Sequence, residues 1–496
     1  MTISHGHRTF RDKPLQDTER DVKPSRYNWR FAFSAEYDIW FNGFTGAAIL
    51  ADKETSANIG RVVAGNPVTN SKDPVVTRQS KAFVNLVQAG GFVIDRGFDE
   101  VEALHIRHLS GRFGRSRGIG LTIAPTMDCN LRCPYCYAYK HAGSRMSPDT
   151  CDAVIAFAER LIQQDKADYV WISYVGGEPL LAFDVMEDLT RRLAALCKAN
   201  NCRQVHVLTT NGVLLSEKII SILTQKPFAL RRLQITLDGP RSIHNVKRQD
   251  EDGGTYDRLI SKLELLRGRC DVDVRINVDN MITCESVVEL INDLHSRQLV
   301  GVFNEKRMIF YLAPIESTTD KCSSVSHTCL SRREFHEFAR TVHAKTPYQQ
   351  PFVGFPETKP HFCGLLSRNS FAIDPEGYVS KCWETLGNRD RSIGHVAEPL
   401  TWENTVWREW LTHDPVSSES TCPKCKFLPI CMGGCPEVVM TQGRSENVCD
   451  HLKWEVEDRL MSATKTYLSM TQHRLGNQQL FESLVRQSFQ GVSGPE

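Results

Sequence analysis

Three cysteines stand within eight residues, Cys129, Cys133 and Cys136, in the run MDCNLRCPYCYAYK. Thiolates at this spacing can hold three corners of a metal centre. Structural zinc takes four protein ligands, so a three-cysteine zinc site completed by water is the weaker reading. The stronger is a four-iron cluster with three irons held by protein and the fourth open to a substrate or cofactor. A second field lies downstream: Cys363, Cys382, Cys422, Cys425, Cys431, Cys435 and Cys449. Its two close pairs suggest a zinc ribbon, but only five residues separate Cys425 from Cys431. Ribbon pairs are roughly 15–20 residues apart. Seven is also an odd number for paired zinc sites.

The elements that must position these thiols follow from periodicity. Between about Gly118 and Pro314, strand-like runs (GIGLTIAP, YVWISYV, QVHVLTT, LRRLQITLDG, VDVRINV, KRMIFYLAP) alternate with helical ones. Strand and helix alternating at this spacing predict parallel strands with crossover helices. Six strands suit a partial or complete α/β barrel, whose site lies on the loops leaving the strands. Residues 1–26 read as a disordered tail and 27–114 as a small α+β module. The barrel spans 115–315 and a bridge 316–360. A cysteine-rich domain follows over 361–452, with a C-terminal helix and tail over 453–496. In the module, YNWRFAFS and YDIWFNGFTGAAILA read as strands, SKAFVNLVQAGG as a helix, FVID as a strand and FDEVEALHIRH as a helix. The cysteine-rich stretch has little apolar periodicity and would depend on metal clusters for cross-links.

Composition sets the bounds. A chain of 496 residues exceeds one ordinary core. Its formal net charge of +1 and interspersed charges argue against a general nucleic-acid or membrane-surface role. No run of eighteen apolar residues spans a membrane, and the polar start lacks the apolar core of a signal peptide. A cytoplasmic protein is expected. There, seventeen cysteines are read as metal ligands where they cluster, not as disulfides. Cys151 and Cys197, in helical stretches, read as packing residues.

The first cysteine run, with Tyr135 just before its last thiol, resembles the C-x3-C-x2-C signature of the radical S-adenosylmethionine (SAM) superfamily. VGGEP at the end of the second strand is similar to the family's GGEP, which receives the methionine amino group. It involves Gly176, Gly177, Glu178 and Pro179. Thr210 and Asn211 end the third strand. TLDGPRSIHNVKR after the fourth resembles SLDG-x-x-x-x-HD-x-x-R, with Thr236 for serine, Asn245 for aspartate and Arg248 kept as a partner for the methionine carboxylate. Asn277, on the fifth, falls near the ribose. The resemblance implies a partial (β/α)6 barrel and SAM bound at the open iron, cleaved to a 5′-deoxyadenosyl radical.

The second field resembles the SPASM domain, C-x(9–15)-G-x4-C, gap, C-x2-C-x5-C-x3-C, gap, C, in all seven cysteines and Gly377. It implies two auxiliary 4Fe–4S clusters, three clusters in all. Cys363, Cys382 and Cys435 would hold the first, and Cys422, Cys425, Cys431 and Cys449 the second. The first is one ligand short, because Asn369 stands where some relatives have a cysteine. Cys322, Cys329 or His361 from the bridge could supply it, or the iron is open to substrate, the favoured reading.

SPASM members act mostly on peptides and proteins. The expected activity is maturation of a ribosomally made precursor peptide through a thioether, carbon–carbon or carbon–oxygen cross-link. Residues 27–114 would be a winged-helix-like, leader-binding element, and flavodoxin or ferredoxin the reductant. The alternative is sulfatase maturation to formylglycine. Those enzymes carry an aspartate directly after the G-x4-C cysteine, where this chain has Trp383 and then Glu384. Candidates for the catalytic base are Glu384, Tyr311 and Asp374. An iron–sulfur electron carrier without catalysis is the alternative from another class, opposed by the GGEP and TLDG elements, which a carrier does not need.

Overall fold

Six β-branched, apolar runs form six parallel strands in chain order: β1 (Gly118–Ile123), β2 (Tyr169–Tyr174), β3 (Arg203–Thr210), β4 (Arg232–Thr236), β5 (Asp271–Val278) and β6 (Lys306–Pro314). Each pairs in parallel with the next. The structure, a computed structural model, describes residues 2–3, 21–66, 74–114, 117–139, 143–346, 354–443, 448–449 and 451–472. The crossover helices are those the pattern predicts: α1 (Pro148–Asp165), α2 (Phe183–Ala199), α3 (Glu217–Thr224), α4 (Tyr256–Leu266) and α5 (Cys284–Ser296). Ser147 starts α1 by accepting from the Thr150 amide at 3.1 Å, with Pro148 in the first turn. Cys151, Val154, Ala158 and Ile162 then form one buried stripe, and Cys197 is buried on α2. Both cysteines are packing residues, as expected.

The sheet does not close, so the barrel is partial. Gly301–Phe303 covers the free edge of β6 in antiparallel fashion. At the other edge a strand from the cysteine-rich domain, β7 (Ser370–Ile373), lies parallel to β1, with Ser370 opposite Gly120 and Ile373 opposite Ile123. β8 (Tyr378–Ser380) and β9 (Gly394–His395) continue outward, making one ten-stranded sheet.

The N-terminal module is an antiparallel meander of Asn28–Ala32, Tyr37–Asn42 and Ala48–Asp52, followed by helices Lys53–Val63, Pro74–Ala89 and Glu100–Phe113. Two readings of this region are corrected. YDIWFNGFTGAAILA is two strands, because the Asn42 carboxamide accepts from the Phe44 and Thr45 amides, at 3.0 and 2.9 Å, and turns the chain. Helix Lys53–Val63, capped by Asp52, was not expected. Of the tail expected over 1–26, Thr2–Ile3 pairs with Ala48–Ile49 and Val22–Pro24 with Val93–Asp95; residues 4–20 lie outside the described ones. The bridge carries a 3-10 turn, Asp320–Thr328, and helix Arg332–Lys345, started by a Ser331–Glu334 capping box.

The cysteine-rich domain does not rely on its own apolar residues. Val416, Leu428, Ile430 and Met432 share one core with Tyr27, Trp29, Phe41, Phe44 and Leu104 of the module and Leu452, Val456 and Leu460 of the terminal helix Leu452–Gln472. Trp29 and Phe427 meet with ring centroids 5.6 Å apart. No helix among the described residues is long and apolar enough to cross a membrane.

Candidate functional site

The residues singled out for the first cluster and the cofactor lie at or just after strand ends, except Asn245 and Arg248, which belong to the short helix Arg241–Lys247 and its C-terminus. Cys129, Cys133 and Cys136 occupy the loop after β1, and Gly176–Pro179 the turn after β2. The two glycines lie directly against the cysteine loop. A Cβ on Gly177 would meet the Asp128 carbonyl oxygen at 2.1 Å, and one on Gly176 the Thr126 oxygen at 2.2 Å. Their amide neighbours fasten the contact, with Gly177 N donating to Thr126 O (3.2 Å) and Glu178 N to Asp128 O (2.7 Å). A Gly177→Ala chain is therefore expected to lose about 1–3 kcal/mol of stability from overpacking. The same change should lower the iron bound by the first cysteine run, both read by thermal unfolding and iron analysis.

Glu178 is fully buried. Its carboxylate accepts from the Leu180 amide (3.0 Å), the Thr210 hydroxyl (2.7 Å) and the Asn211 amide (2.7 Å). Burial raises its ionisation above the ordinary range against the pull of these donors. It thereby fixes the turn after β3, and the Asn211 carboxamide in turn donates to Asn130, inside the cysteine run, at 2.8 Å. Pro179 opens a buried 3-10 turn over Pro179–Ala182.

On the far side of the loop Tyr135 is the centre of a buried polar network. Its hydroxyl donates to Asp238 and accepts from Arg248 (2.8 Å) and the Asn277 carboxamide (3.3 Å). Burial keeps the phenol protonated, well above its ordinary range. Arg248 and Asp238 stand 3.7 Å apart, nearly excluded from solvent. Burial opposes the Arg248 charge, but Tyr135, Cys133 and Asp238 around it push its ionisation above the usual range. Its Nε is buried without a hydrogen-bond partner, an unsatisfied cationic donor beside Cys133. A carboxylate ligand would satisfy it, so the residues present fit the methionine end of SAM. Thr236 closes β4, two residues before Asp238. Asn245 accepts from the Tyr256 amide (2.9 Å) and so serves the turn into α4. Asp238 and Asn130 were missed in the sequence, although both stand inside the quoted motifs.

The second cysteine field divides in space. CMGGC, residues 431–435, turns through three consecutive left-handed residues, Met432, Gly433 and Gly434. A Cβ on Gly434 would meet the Val448 carbonyl oxygen at 2.0 Å, so this glycine is what lets Cys449 approach the turn. Cys422, Cys425 and Cys431 lie just before it. Cys363, Cys382 and Cys435 line a separate cavity of about 410 Å³, with Glu316, Thr318, Cys329, Trp383, Glu384 and Glu437 among its other walls. Below it the buried Lys381 ammonium donates to the Ser367 (2.7 Å) and Ser370 carbonyls, tying the segment of Cys363 to that of Cys382. The donor set on this cavity, three cysteine thiols, is of the type that holds an iron–sulfur cluster.

The three carboxylates on the cavity differ. Glu316 is paired with Arg332 at 2.6 Å and Glu437 with Arg391 at 2.8 Å. Glu384 has Thr318 as its hydrogen-bond partner, and burial raises its carboxyl above the ordinary range, with Glu316 and Glu437 adding to this and Arg275 opposing it. Burial, with Glu384 and Cys136 adding to it, raises the phenol of Tyr137, the residue after Cys136, above its ordinary range. Tyr311 donates to Gln234 across the barrel at 2.8 Å. Asp374 is held by Arg389 and accepts from the Glu376 and Tyr378 amides, both at 3.0 Å, in the β7–β8 turn. Neither lines the cavity.

Comparison with known proteins agrees with this arrangement. Residues 123–294 match the model of the radical SAM superfamily. The cysteine-type anaerobic sulfatase-maturating enzyme of Clostridium perfringens (strain 13 / Type A) is 23% identical over 350 residues, 64% of this chain and 88% of that protein. The corresponding enzyme of Clostridium novyi (strain NT) is 21% identical, over 70% of this chain and 97% of that one. Among solved structures, native anSMEcpe with bound AdoMet superposes with a TM-score of 0.52 at 17% identity, covering 70% of this chain and 99% of that one. That likeness bears on the fold.

Proposed function

We propose, on the premise that this chain is a radical SAM enzyme with a SPASM-type cysteine-rich domain, that it matures a ribosomally made precursor peptide by an oxidative cross-link: thioether, carbon–carbon or carbon–oxygen. One observation carries this reading. The N-terminal module is docked through a shared core onto the domain bearing the second cysteine field. Almost the whole of anSMEcpe is matched by 70% of this chain, which leaves a surplus large enough for that module. A leader segment held there would deliver the following residues to the cavity.

The chemistry that SAM and its iron–sulfur cluster supply together is reductive cleavage to a 5′-deoxyadenosyl radical, with flavodoxin or ferredoxin as electron donor. Cys129, Cys133 and Cys136 would hold that cluster. Arg248, positioned by Tyr135 and Asp238, would bind the methionine carboxylate, and the loop fastened by Gly176, Gly177 and Glu178 keeps the two aligned. Cys363, Cys382 and Cys435, and Cys422, Cys425, Cys431 and Cys449, would hold two auxiliary clusters, whose chemistry when bound would be one-electron acceptance. Glu384, on the cavity and without a cation clamp, is placed to take the substrate proton.

Sulfatase maturation is the second reading, favoured by the relatives found. The departure at Trp383 weighs less than the sequence alone suggested, since Glu384 brings a carboxylate to the same cavity one residue later. Mass spectrometry separates the two. The chain is co-expressed either with the short peptide encoded beside it or with a sulfatase-derived peptide. Loss of two hydrogens mapped to a bond between two residues of the former supports maturation of a peptide. Conversion of a cysteine or serine of the latter to formylglycine, with the former unchanged, overturns it.

A further inference from the structure

The bridge contributes part of the lining of the cavity that holds Cys363, Cys382 and Cys435, and it carries a fourth thiol: Cys329 lines the same cavity, next to Leu330. The other two bridge candidates do not. Cys322 is fully buried, and its Sγ is turned onto the carbonyls of its own turn, Thr319 at 3.3 Å and Glu316 at 3.6 Å. His361 is absent from the lining; its neighbours are Gly111, Arg112 and the Cys363 backbone. Asn369 is engaged by Asp165, under the sheet. Of the carboxylates that could compete for iron, Glu316 and Glu437 are held by Arg332 and Arg391.

Cys329 follows the 3-10 turn Asp320–Thr328 in extended conformation and is half-exposed; its thiol lies 3.6 Å from the Val325 carbonyl and is also met by the Ser317 backbone amide. Four thiolates are the ordinary complement of a 4Fe–4S cluster, and a thiolate outcompetes water or a hydroxyl for iron.

We infer that Cys329 is the fourth ligand of the first auxiliary cluster, which it completes from the bridge, so that this cluster presents no open iron to substrate. The inference rests on the auxiliary-cluster reading of the proposed function. Binding makes one iron–sulfur bond and releases the thiol proton to solvent, with no change of oxidation state.

The test uses the full chain with Cys129, Cys133 and Cys136 replaced by alanine, so that only auxiliary clusters are read. After anaerobic reconstitution this parent should hold about eight irons per chain, and its reduced electron paramagnetic resonance spectrum should ignore added cyanide. With Cys329→Ala added, one of the two signals should shift on adding cyanide or convert to a three-iron signal. A parent that binds little iron overturns the auxiliary-cluster reading itself. A parent with full iron that responds to cyanide, and a Cys329→Ala spectrum identical to it, overturn the ligand assignment alone. Maleimide labelling of the unmutated holoprotein gives a second measurement that needs no variant. Cys329 should be protected until iron is stripped, whereas Cys284, also half-exposed and outside both fields, labels throughout. Equal labelling of the two in iron-replete protein overturns the assignment.

Discussion

A Cys133→Ala chain, reduced anaerobically with SAM, is expected to release no 5′-deoxyadenosine above a protein-free control, while the unmutated chain releases it steadily. The middle thiol of the run has no substitute nearby. Cys129 and Cys136 alone leave two irons unheld, and the loop that presents all three is pinned by Gly177 and Glu178 to a single position. The loss should extend to SAM binding, because on the proposed reading Arg248 would hold the methionine carboxylate while the cluster on this cysteine run would take its other end. Arg248 would keep its partners, Tyr135 at 2.8 Å and Asp238 at 3.7 Å, so the variant should fold and retain its auxiliary iron. The same assay decides between enzyme and electron carrier. An unmutated chain that takes up iron and electrons yet leaves SAM intact would be a carrier, and the enzyme reading would fall.

Glu384→Gln is expected to uncouple the two halves of the reaction. Release of 5′-deoxyadenosine should persist, since Glu384 touches none of the groups around Arg248, whereas modified peptide should drop by about 10²–10⁴-fold, the usual worth of a positioned proton acceptor. Glutamine keeps the shape of the side chain and its hydrogen bond to Thr318, so the cavity should survive. High-resolution product analysis with deuterated peptide gives the check: deuterium should still move into 5′-deoxyadenosine. Product formation at the unmutated rate would assign the proton to another group, with Tyr311 next in line by its place on the inner face of the barrel.

Much of the barrel was legible because each strand is a short apolar run followed by an amphipathic helix, so strand order follows chain order. The cofactor end was legible for the same reason: GGEP, TN and TLDG end consecutive strands, and topology alone brings them together. Asp238 was harder, because an aspartate before a glycine reads equally well as a turn residue. Glu178 was legible only in part. Its charge suggested a ligand group, and the structure adds a positioning role that the motif does not announce: its oxygens accept from Leu180, Thr210 and Asn211. The pairing of β7 with β1 and the docking of the module on Leu428 and Ile430 join segments far apart in the chain, and nothing periodic announces such contacts. The sequence favoured an open iron over Cys322, Cys329 or His361 as a ligand; of these three only Cys329 lines the cavity.

The parallel pairing of Ser370–Ile373 with Gly120–Ile123 has a mechanical consequence. β1 leads directly into the first cysteine run, and β7 lies between Cys363 and Cys382, so one ladder of backbone hydrogen bonds is common to both cysteine fields. A hinge between barrel and cysteine-rich domain would have to break that ladder, and the two therefore move as one rigid body. On the proposed reading, the gap an electron would cross between the first cysteine run and the segment carrying Cys363 and Cys382 is tied to that strand register.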